Sequence, residues 1–314
     1  MLNARQLSVL IGAAALVGLG GVARADDTYI PLVSKGFQHQ FWQAVKLGAE
    51  QAAKKDNVRI TFEGPETEAM VDKQVDMLSA ALAKHPQAIG LAALDSKAEI
   101  PLLKKAQSEK IPVIAFDSGV DSDIPVTTCT TDNLAAAGEA ADQMAKLIGD
   151  AGEVALIVHD QTSRTGIDRR DGFVARIKDK HPNIKIVDIQ YGAGDHLKSA
   201  EIAKAIAAAH PNLKGIFGAN EGSIEGALVG LKEAKKSNIV TIGYDSGQDQ
   251  IDAIKSGAEA GAITQNPIGI GACVVDSAVK ALKGEKLPLK VDTGYYWYDK
   301  TNIDDPKVAA VLYK

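Results

Sequence analysis

Two acidic side chains stand at matching places in the sequence, each directly after an apolar run. Asp117 follows residues 111–116 and precedes Ser-Gly, and Asp245 follows residues 239–244 and again precedes Ser-Gly. Such a pair can serve as acid and base in glycoside hydrolysis, or it can accept hydrogen bonds from the hydroxyl groups of a bound solute. No neighbouring residue resembles a leaving-group acid, and Ser-Gly is typical of a turn. The pattern therefore favours binding.

Several other side chains suit a ring that carries hydroxyl groups. Phe41 and Trp42 open the first predicted helix, where an aromatic ring can stack on the C–H face of a sugar. Adjacent helical positions point about 100° apart, so one ring can enter the core while the other faces a cleft. Arg169 begins another helix, and Asn220 and Gln265 end strands with amides that both donate and accept hydrogen bonds. The alternative to a binding role is that the rings pack in the core and that the arginine lies on the solvated surface.

The sequence lacks the motifs of the common enzyme classes. Its six histidines are scattered without HxxxH or HExxH spacing, and neither GxSxG nor the phosphate loop GxxxxGK[ST] occurs. We therefore expect no catalytic residue, no metal site and no cofactor.

The two cysteines, Cys129 and Cys273, do not have the CxxC spacing of a metal or redox site. They can form a disulfide if the protein is exported to an oxidising compartment. Two isolated buried thiols are the interpretation that we favour.

Strands and helices alternate along the chain, which is typical of a parallel sheet with helices on both faces. Apolar runs such as residues 88–94 predict buried strands, and amphipathic spacing predicts helices over residues 41–55 and 66–84. The alternation begins again after Asp132. The strand ends at Asp117 and Asp245 are 128 residues apart, and the strand ends near Asp95 and Asn220 are separated by nearly the same distance along the chain. The sequence therefore predicts two similarly built α/β lobes, with both aspartates facing one cleft.

Length and composition agree with two globular domains. The chain of 314 residues is about twice as long as a typical domain. Its content of 46% hydrophobic and 24% charged residues is ordinary for a soluble globular protein. A net charge of −5 gives no sign of a nucleic-acid partner. An apolar run over residues 7–22 precedes Ala23-Arg24-Ala25, the layout of a secretory signal peptide that is cleaved after Ala25. We expect an exported, soluble mature protein.

Six stretches of the chain match one known family in the family's own order: residues 40–42, 111–117, 169–173, 217–221, 241–245 and 263–267. From Asp27 onward, the chain resembles the periplasmic sugar-binding proteins of ribose-type ABC transporters, which are related to the effector domains of lac-repressor-like regulators. The resemblance implies a type I periplasmic binding protein fold: two Rossmann-like, three-layer lobes with parallel sheets, joined by a three-stranded hinge. It also implies stacking of Phe41 and Trp42 on a sugar ring, with the polar residues above bonding its hydroxyl groups.

Three departures from the ribose-binding pattern bear on the ligand. The first helix begins His-Gln-Phe-Trp rather than Asn-Pro-Phe-Phe, Ser118 stands where an arginine follows the aspartate, and residues 192–195 lack an aromatic ring. We expect His39 to supply a hydrogen bond, and Tyr191 or Phe37 to supply a ring. A hexose, another pentose, a polyol or an amino sugar all stay open.

The predicted ligand-binding residues are Lys35, His39, Phe41, Trp42, Asp117, Ser118, Arg169, Asn220, Asp245 and Gln265. A cationic amino sugar would also engage Glu221. The predicted domains are a signal peptide (1–25), an N-terminal lobe (26–131 plus 266–293) and a C-terminal lobe (132–265 plus 294–314).

The resemblance implies a non-enzymatic solute-binding protein of an ABC importer. It would act as a monomer in the periplasm of a Gram-negative bacterium, where the lobes close by hinge bending over a sugar. Its partners would be that sugar and an inner-membrane permease, without nucleic acid. The alternative is a receptor that feeds a chemotaxis or sensor protein, because such receptors share the fold and the site.

Overall fold

The computed structural model describes residues 28–313. The predicted signal peptide, residues 1–25, lies outside the described residues. The elements follow in the order β1 (Tyr29–Val33), α1 (Gln40–Asp56), β2 (Arg59–Glu63), α2 (Val71–Leu82), β3 (Ile89–Leu91), α3 (Ile100–Ser108), β4 (Val113–Phe116), β5 (Thr127–Thr130), α4 (Asn133–Ile148), β6 (Gly152–Val158), α5 (Arg164–Lys180), β7 (Ile184–Tyr191), α6 (His196–Ala209), β8 (Leu213–Gly218), α7 (Glu221–Glu233), β9 (Val240–Tyr244), α8 (Gln248–Ser256), β10 (Gly261–Gln265), α9 (Pro267–Leu282), β11 (Lys290–Asp292), β12 (Tyr295–Tyr298) and α10 (Pro306–Ala309). None of the helices within this described part is long and apolar enough to cross a bilayer.

The strands form two six-stranded sheets with the same internal order. The first sheet runs β11-β5-β4-β3-β1-β2 and the second runs β12-β10-β9-β8-β6-β7. All pairings are parallel except that of β12 with β10. The predicted α/β architecture with two similarly built halves is confirmed. We call each sheet with its helices a lobe: the first lobe carries α1–α3 and α9, and the second carries α4–α8.

Each sheet is buried between two layers of helices. All five residues of β1 are buried; Ile30 and Leu32 enter a core with α1 and α9, whereas Val33 enters another core with α2 and α3. A strand that packs on both faces requires apolar residues throughout, which is why these strands read as continuous apolar runs. The second sheet has a comparable core on each face.

Helices α1 and α9 cross at very short distance in the first lobe. A Cβ atom built on Gly271 would lie 1.9 Å from the carbonyl oxygen of Val45, and one built on Gly48 would lie 2.1 Å from that of Ile268. Only glycine leaves room for this approach. It places the beginning of α1 beside the point where the chain returns to the first lobe.

Two predictions need correction. The helix predicted over residues 66–84 begins only at Val71, because Gly64-Pro65 opens a loop that continues to Met70.

The two cysteines are not isolated thiols: Cys129 of β5 and Cys273 of α9 form a disulfide within the first lobe. Their 144-residue separation hid a proximity that only the packing of α9 beside β5 creates.

Candidate ligand-binding site

A small cavity lies between the lobes at the carboxyl ends of both parallel sheets. The space between its lining atoms amounts to about 270 Å³, part of which is open to solvent. The lining residues are Lys35, His39, Phe41, Trp42, Glu68, Asp117, His159, Thr165, Arg169, Asn220, Asp245 and Gln265. Every predicted ligand-binding residue except Ser118 is among them.

The two aspartates occupy equivalent backbone positions. Asp117 and Asp245 directly follow β4 and β9 with φ of 54° and 84°, in the left-handed region that aspartate tolerates better than most residues. In each case the backbone N–H donates to the neighbouring strand, at 2.8 Å to the carbonyl of Cys129 and at 2.6 Å to that of Ile263. This turn aims both carboxylates into the cavity.

The two carboxylates differ in their partners. Asp245 accepts a hydrogen bond from Gln265 Nε2 at 2.7 Å and one from the backbone N–H of Glu221 at 3.0 Å, and it lies 3.8 Å from Arg169. Hydrogen bonds among residues 28–313 leave the Asp117 carboxylate oxygens unengaged, although the residue is only 4% exposed. Burial raises the pKa of Asp117 to about 6, against the attraction of Lys35 and Arg169.

Arg169 is held in place before any ligand arrives. Its Nε donates to Asn133 Oδ1 at 2.8 Å and its NH1 to the carbonyl of Ala219 at 2.8 Å. The guanidinium carbon also lies 3.7 Å from the centre of the Tyr244 ring. These contacts fix the plane of the donors, so little side-chain entropy is lost on binding.

The two amides are tied to the backbone of the second lobe and to the hinge. Asn220 caps α7, with Oδ1 accepting from the Ser223 N–H at 3.0 Å, which leaves its NH2 group for the cavity. Gln265 Oε1 accepts a hydrogen bond from Thr131 Oγ1 at 2.8 Å. Thr131 lies between β5 and α4, where the chain passes from the first sheet to the second. This hydrogen bond therefore links the ligand site to one of the segments that join the lobes.

The aromatic pair lies on the first-lobe wall. The rings of Phe41 and Trp42 meet edge to face with centroids 5.0 Å apart. Trp42 Nε1 donates to Glu68 Oε1 at 2.7 Å, and Glu68 Oε2 lies 3.6 Å from Lys35 Nζ. Burial alone would raise the pKa of Glu68, but Lys35 and the other neighbouring donors lower it to about 2, so this carboxylate stays ionised.

Lys35 spans the cleft rather than only facing it. Its ammonium donates to Thr165 Oγ1 at 3.2 Å and lies 3.7 Å from Asp160, both in the second lobe. His159 Nε2 bonds Thr165 Oγ1 at 3.1 Å, and burial together with Lys35 lowers the pKa of this imidazole. His159 is thus neutral at pH 7.

Three predicted contributions are placed elsewhere. Ser118 lies outside the lining, with its backbone in the turn after β4. Tyr191 accepts a hydrogen bond from Arg170, and Phe37 packs edge-on against Phe62 with centroids 5.9 Å apart, so neither supplies a cavity ring.

Glu68, His159 and Thr165 line the cavity but were missed by the sequence analysis. Glu68 was hidden by the overlong helix prediction, although Gly64-Pro65 signals a loop there. His159 follows strand β6 directly, so the strand-end rule that found the aspartates would also have found it.

The periplasmic binding protein domain family matches residues 30–286. The chain belongs to this family. A curated relative, the ribose import binding protein RbsB of Salmonella typhimurium, is 28% identical over 290 residues, which cover 92% of this chain and 96% of the relative. Members of this family bind a solute for an ABC importer and do not transform it.

Two solved structures from Agrobacterium vitis are similar over nearly the whole chain. An ABC transporter solute-binding protein with bound D-fucose has a TM-score of 0.88 and 34% identity, covering 91% of this chain and 100% of that one. Another with bound α-D-tagatopyranose has a TM-score of 0.86 and 33% identity, covering 91% and 99%. By this similarity, the chain is a solute-binding protein of the ABC sugar-importer type.

Proposed function

We propose that the cavity binds one neutral monosaccharide, which closes the two lobes and is then delivered to an inner-membrane permease. The observation that carries this is the Asp117 carboxylate, which is buried in the cavity without a protein donor. Two vicinal hydroxyl groups of a sugar can donate to its two oxygens.

The balance of charge in the cavity supports a neutral ligand. Glu68 is matched by Lys35, and Asp245 by Arg169 and Gln265. Asp117 is the remaining carboxylate, so an acidic sugar would place two negative charges together in a poorly solvated space. The two rings of the first-lobe wall offer an apolar face to the C–H groups of the sugar.

The geometry argues against the cationic amino sugar that Glu221 suggested. The Glu221 carboxylate points to the backbone of α1, with Oε1 2.9 Å from the Gln40 nitrogen, and it is absent from the cavity lining. Glu221 therefore adds no second carboxylate to the cavity for an ammonium group.

Calorimetry over a sugar panel tests the proposal. The panel contains D-fucose, D-tagatose, D-arabinose, D-ribose, glucosamine and galacturonic acid. We expect binding of a neutral member and none of galacturonic acid, and we expect Asp117→Asn to weaken binding about 10-fold or more, the effect of ~1.4 kcal/mol. Asp123→Asn, an exposed change in the same lobe, serves as control. Equal affinity of Asp117→Asn and the parent protein would overturn the site.

We also propose the lobe boundaries, export and monomeric state given by the sequence. The lobes then comprise residues 26–131 plus 266–293 and residues 132–265 plus 294–314, after cleavage behind Ala25. N-terminal sequencing of the protein from a periplasmic extract, with light scattering during gel filtration, tests cleavage and monomeric state. An intact residue 7–22 segment or a dimer mass would contradict them.

A further inference from the structure

Helix α1 begins at the cleft without a side-chain cap from its own N-cap residue. His39 occupies the N-cap position but makes no side-chain hydrogen bond to the first turn, and that turn contains no acidic residue. The first N–H groups of a helix have no partner within the helix and need one elsewhere. Helices α4, α5, α6, α7 and α9 all receive that partner from their own N-cap side chain.

Glu221 supplies the missing cap from the opposite lobe. Its Oε1 accepts from the Gln40 N–H at 2.9 Å and its Oε2 from the Phe41 N–H at 3.2 Å. The Tyr313 hydroxyl donates to Oε2 at 3.3 Å. A carboxylate at the positive end of a helix dipole is also favourable electrostatically.

The same arrangement occurs in the reverse direction. Helix α8 of the second lobe has Gly247 at its N-cap and no side-chain cap. The Gln248 N–H at the start of α8 donates to Gln40 Oε1 at 2.7 Å, and Gln40 belongs to α1 of the first lobe. A Cβ atom on Gly247 would lie 3.2 Å from that oxygen and 3.1 Å from the Glu221 carboxyl carbon, so the glycine permits this approach.

These contacts are favourable only while the lobes touch. Glu221 is 4% exposed, and burial together with Asp245 raises its pKa to about 7, against the hydrogen bonds that it accepts from Gln40 and Phe41. When the lobes separate, the carboxylate and the helix amides return to water. The bonds therefore add to the closed state without stabilising either lobe alone.

The caps are connected to the ligand site through neighbouring residues. The Glu221 backbone N–H donates to Asp245 Oδ2 at 3.0 Å, and the preceding Asn220 lines the cavity. On the other side, Phe41 both donates to Glu221 and lines the cavity. A ligand that orders these side chains also orders the capping atoms.

We propose that Glu221 and Gln40 are closure-determining residues, which exchange helix caps between the lobes and set how slowly the closed protein releases its sugar. Neither residue lines the cavity; we call their two contacts the cross-lobe caps. The inference rests on the proposed function, because it assigns these residues to the release of the same ligand.

Stopped-flow release of the best-bound sugar tests the cross-lobe caps. Glu221→Asp keeps the charge but is one methylene shorter, which withdraws the accepting oxygens from the Gln40 and Phe41 N–H groups, so we expect release to accelerate on the order of 10-fold with an association rate within about twofold of the parent. Gln40→Ala removes the cap of α8 and should act in the same direction. Glu233→Asp, at the exposed end of α7, and Gln51→Ala, on the exposed face of α1, are matched controls. Unchanged release in both cap variants overturns the inference.

Amide hydrogen exchange separates this test from that of the function. The N–H groups of Gln40, Phe41 and Gln248 should exchange faster in the cap variants than in the controls. If the parent protein binds no sugar of the panel, the proposed function fails, and exchange in protein held closed by a chemical cross-link between the lobes then decides the caps: faster exchange at these three amides in the cross-linked variants supports them, and equal exchange rejects them. Thermal unfolding without sugar, expected to be unchanged, shows that the variants fold.

Discussion

Asp117 combines burial with an open pair of acceptor oxygens, and this combination makes its charge depend on pH near neutrality. Asp245, at the equivalent strand end, is bonded by Gln265 and the Glu221 N–H. Two residues of the same type in the same backbone conformation therefore have different roles. Asp117 is open to the cavity, and Asp245 holds the surrounding donors in position.

Sugar affinity should fall as the pH falls from 7.5 to 5. Asp117 has a pKa raised to about 6, and protonation removes an acceptor that two sugar hydroxyls require. Above pH 6 the Asp117 carboxylate is ionised and contributes no further change in affinity; below pH 6 its protonation should lower affinity by up to about 10-fold per unit. Calorimetry at several pH values measures this, and Asp117→Asn should bind weakly with no such step. A step of the same size in that variant would assign the dependence to another group.

The same substitution should make the ligand-free protein more stable at pH 7. A carboxyl whose pKa rises from 3.8 to about 6 on folding carries a buried charge above pH 6, and its cost is absent only when pH falls below 3.8. Asp117→Asn should therefore raise the free energy of unfolding by up to about 3 kcal/mol, measured in urea at pH 7.5. Lower stability of the variant would contradict the origin assigned to the raised pKa.

Residues at strand ends were accessible to sequence reasoning, whereas residues in loops were not. Asp117 and Asp245 follow apolar runs that can only be strands, and parallel strand ends meet at one edge. Glu68 lies in the loop between β2 and α2. The course of such a loop cannot be derived from a periodic pattern of apolar residues. Ser118 illustrates the opposite error: adjacency to a site residue does not place a side chain in the site when the backbone turns there.

At the scale of elements, the contact between α1 and α9 depends on glycine. Gly271→Ala would bring a methyl group to 1.9 Å from the Val45 carbonyl oxygen, and backbone atoms cannot move away cheaply. We expect a loss of about 1–3 kcal/mol in the free energy of unfolding, measured in urea. In Gly138→Ala on α4, the new methyl meets only the flexible Arg176 side chain at 3.4 Å. That control should be neutral or slightly stabilising, because alanine favours a helix.

The disulfide joins β5 to α9 and should stabilise the first lobe alone. Replacing both cysteines by serine should reduce the free energy of unfolding of this lobe by about 2–4 kcal/mol, because the bond restricts the unfolded chain. The two tryptophans report on the lobes separately, Trp42 from the first core and Trp297 from the second. Each tryptophan is followed by its fluorescence during urea unfolding, with the other one replaced by phenylalanine. Loss of the disulfide should lower the urea midpoint seen by Trp42 in the Trp297→Phe protein. It should leave the midpoint seen by Trp297 in the Trp42→Phe protein unchanged. Equal shifts of both signals would mean that the lobes unfold as one unit.

Most elements were predictable because their apolar periodicity is strong, but the disulfide was not. Helix α1, predicted over residues 41–55, is observed at Gln40–Asp56, within one residue at each end. Pairing of Cys129 with Cys273 depends on α9 returning to the first lobe after the whole second lobe has been built. That return follows from packing against α1 and has no local signal in the sequence around either cysteine.

At the scale of the whole molecule, hydrogen bonds between polar groups join the two lobes across the cleft. Besides the cross-lobe caps and the contacts of Lys35, the Ser96 N–H donates to the Thr162 carbonyl at 2.9 Å, and Gln38 donates to the Gly194 carbonyl at 3.1 Å. Polar contacts of this kind exchange for water at small net free energy. A ligand that bonds both lobes can therefore decide between the open and closed arrangements.

Removal of the Lys35 ammonium should favour the open arrangement. In Lys35→Met, the carboxylates of Glu68 and Asp160 would face each other across the closed cleft without the cation that lies 3.6 and 3.7 Å from them. Leaving buried carboxylates unpaired costs about 3 kcal/mol or more, so sugar affinity should fall by more than ~100-fold. Small-angle scattering with sugar should give a larger radius of gyration than for Lys54→Met, an exposed change on α1. The same radius in both variants would remove Lys35 from the closing contacts.

The identical strand order of the two sheets has an evolutionary consequence for how such a pocket changes specificity. Each lobe presents an aspartate on the same turn of the same strand, as two copies of one ancestral unit would after duplication and fusion. A sugar has no matching symmetry, so recognition has to come from what distinguishes the copies: Gln265 and Arg169 beside one aspartate, Lys35 beside the other. Substitutions that change which sugar is bound, whether by selection or by design, should therefore fall mainly at these partner residues. The two aspartates should be retained.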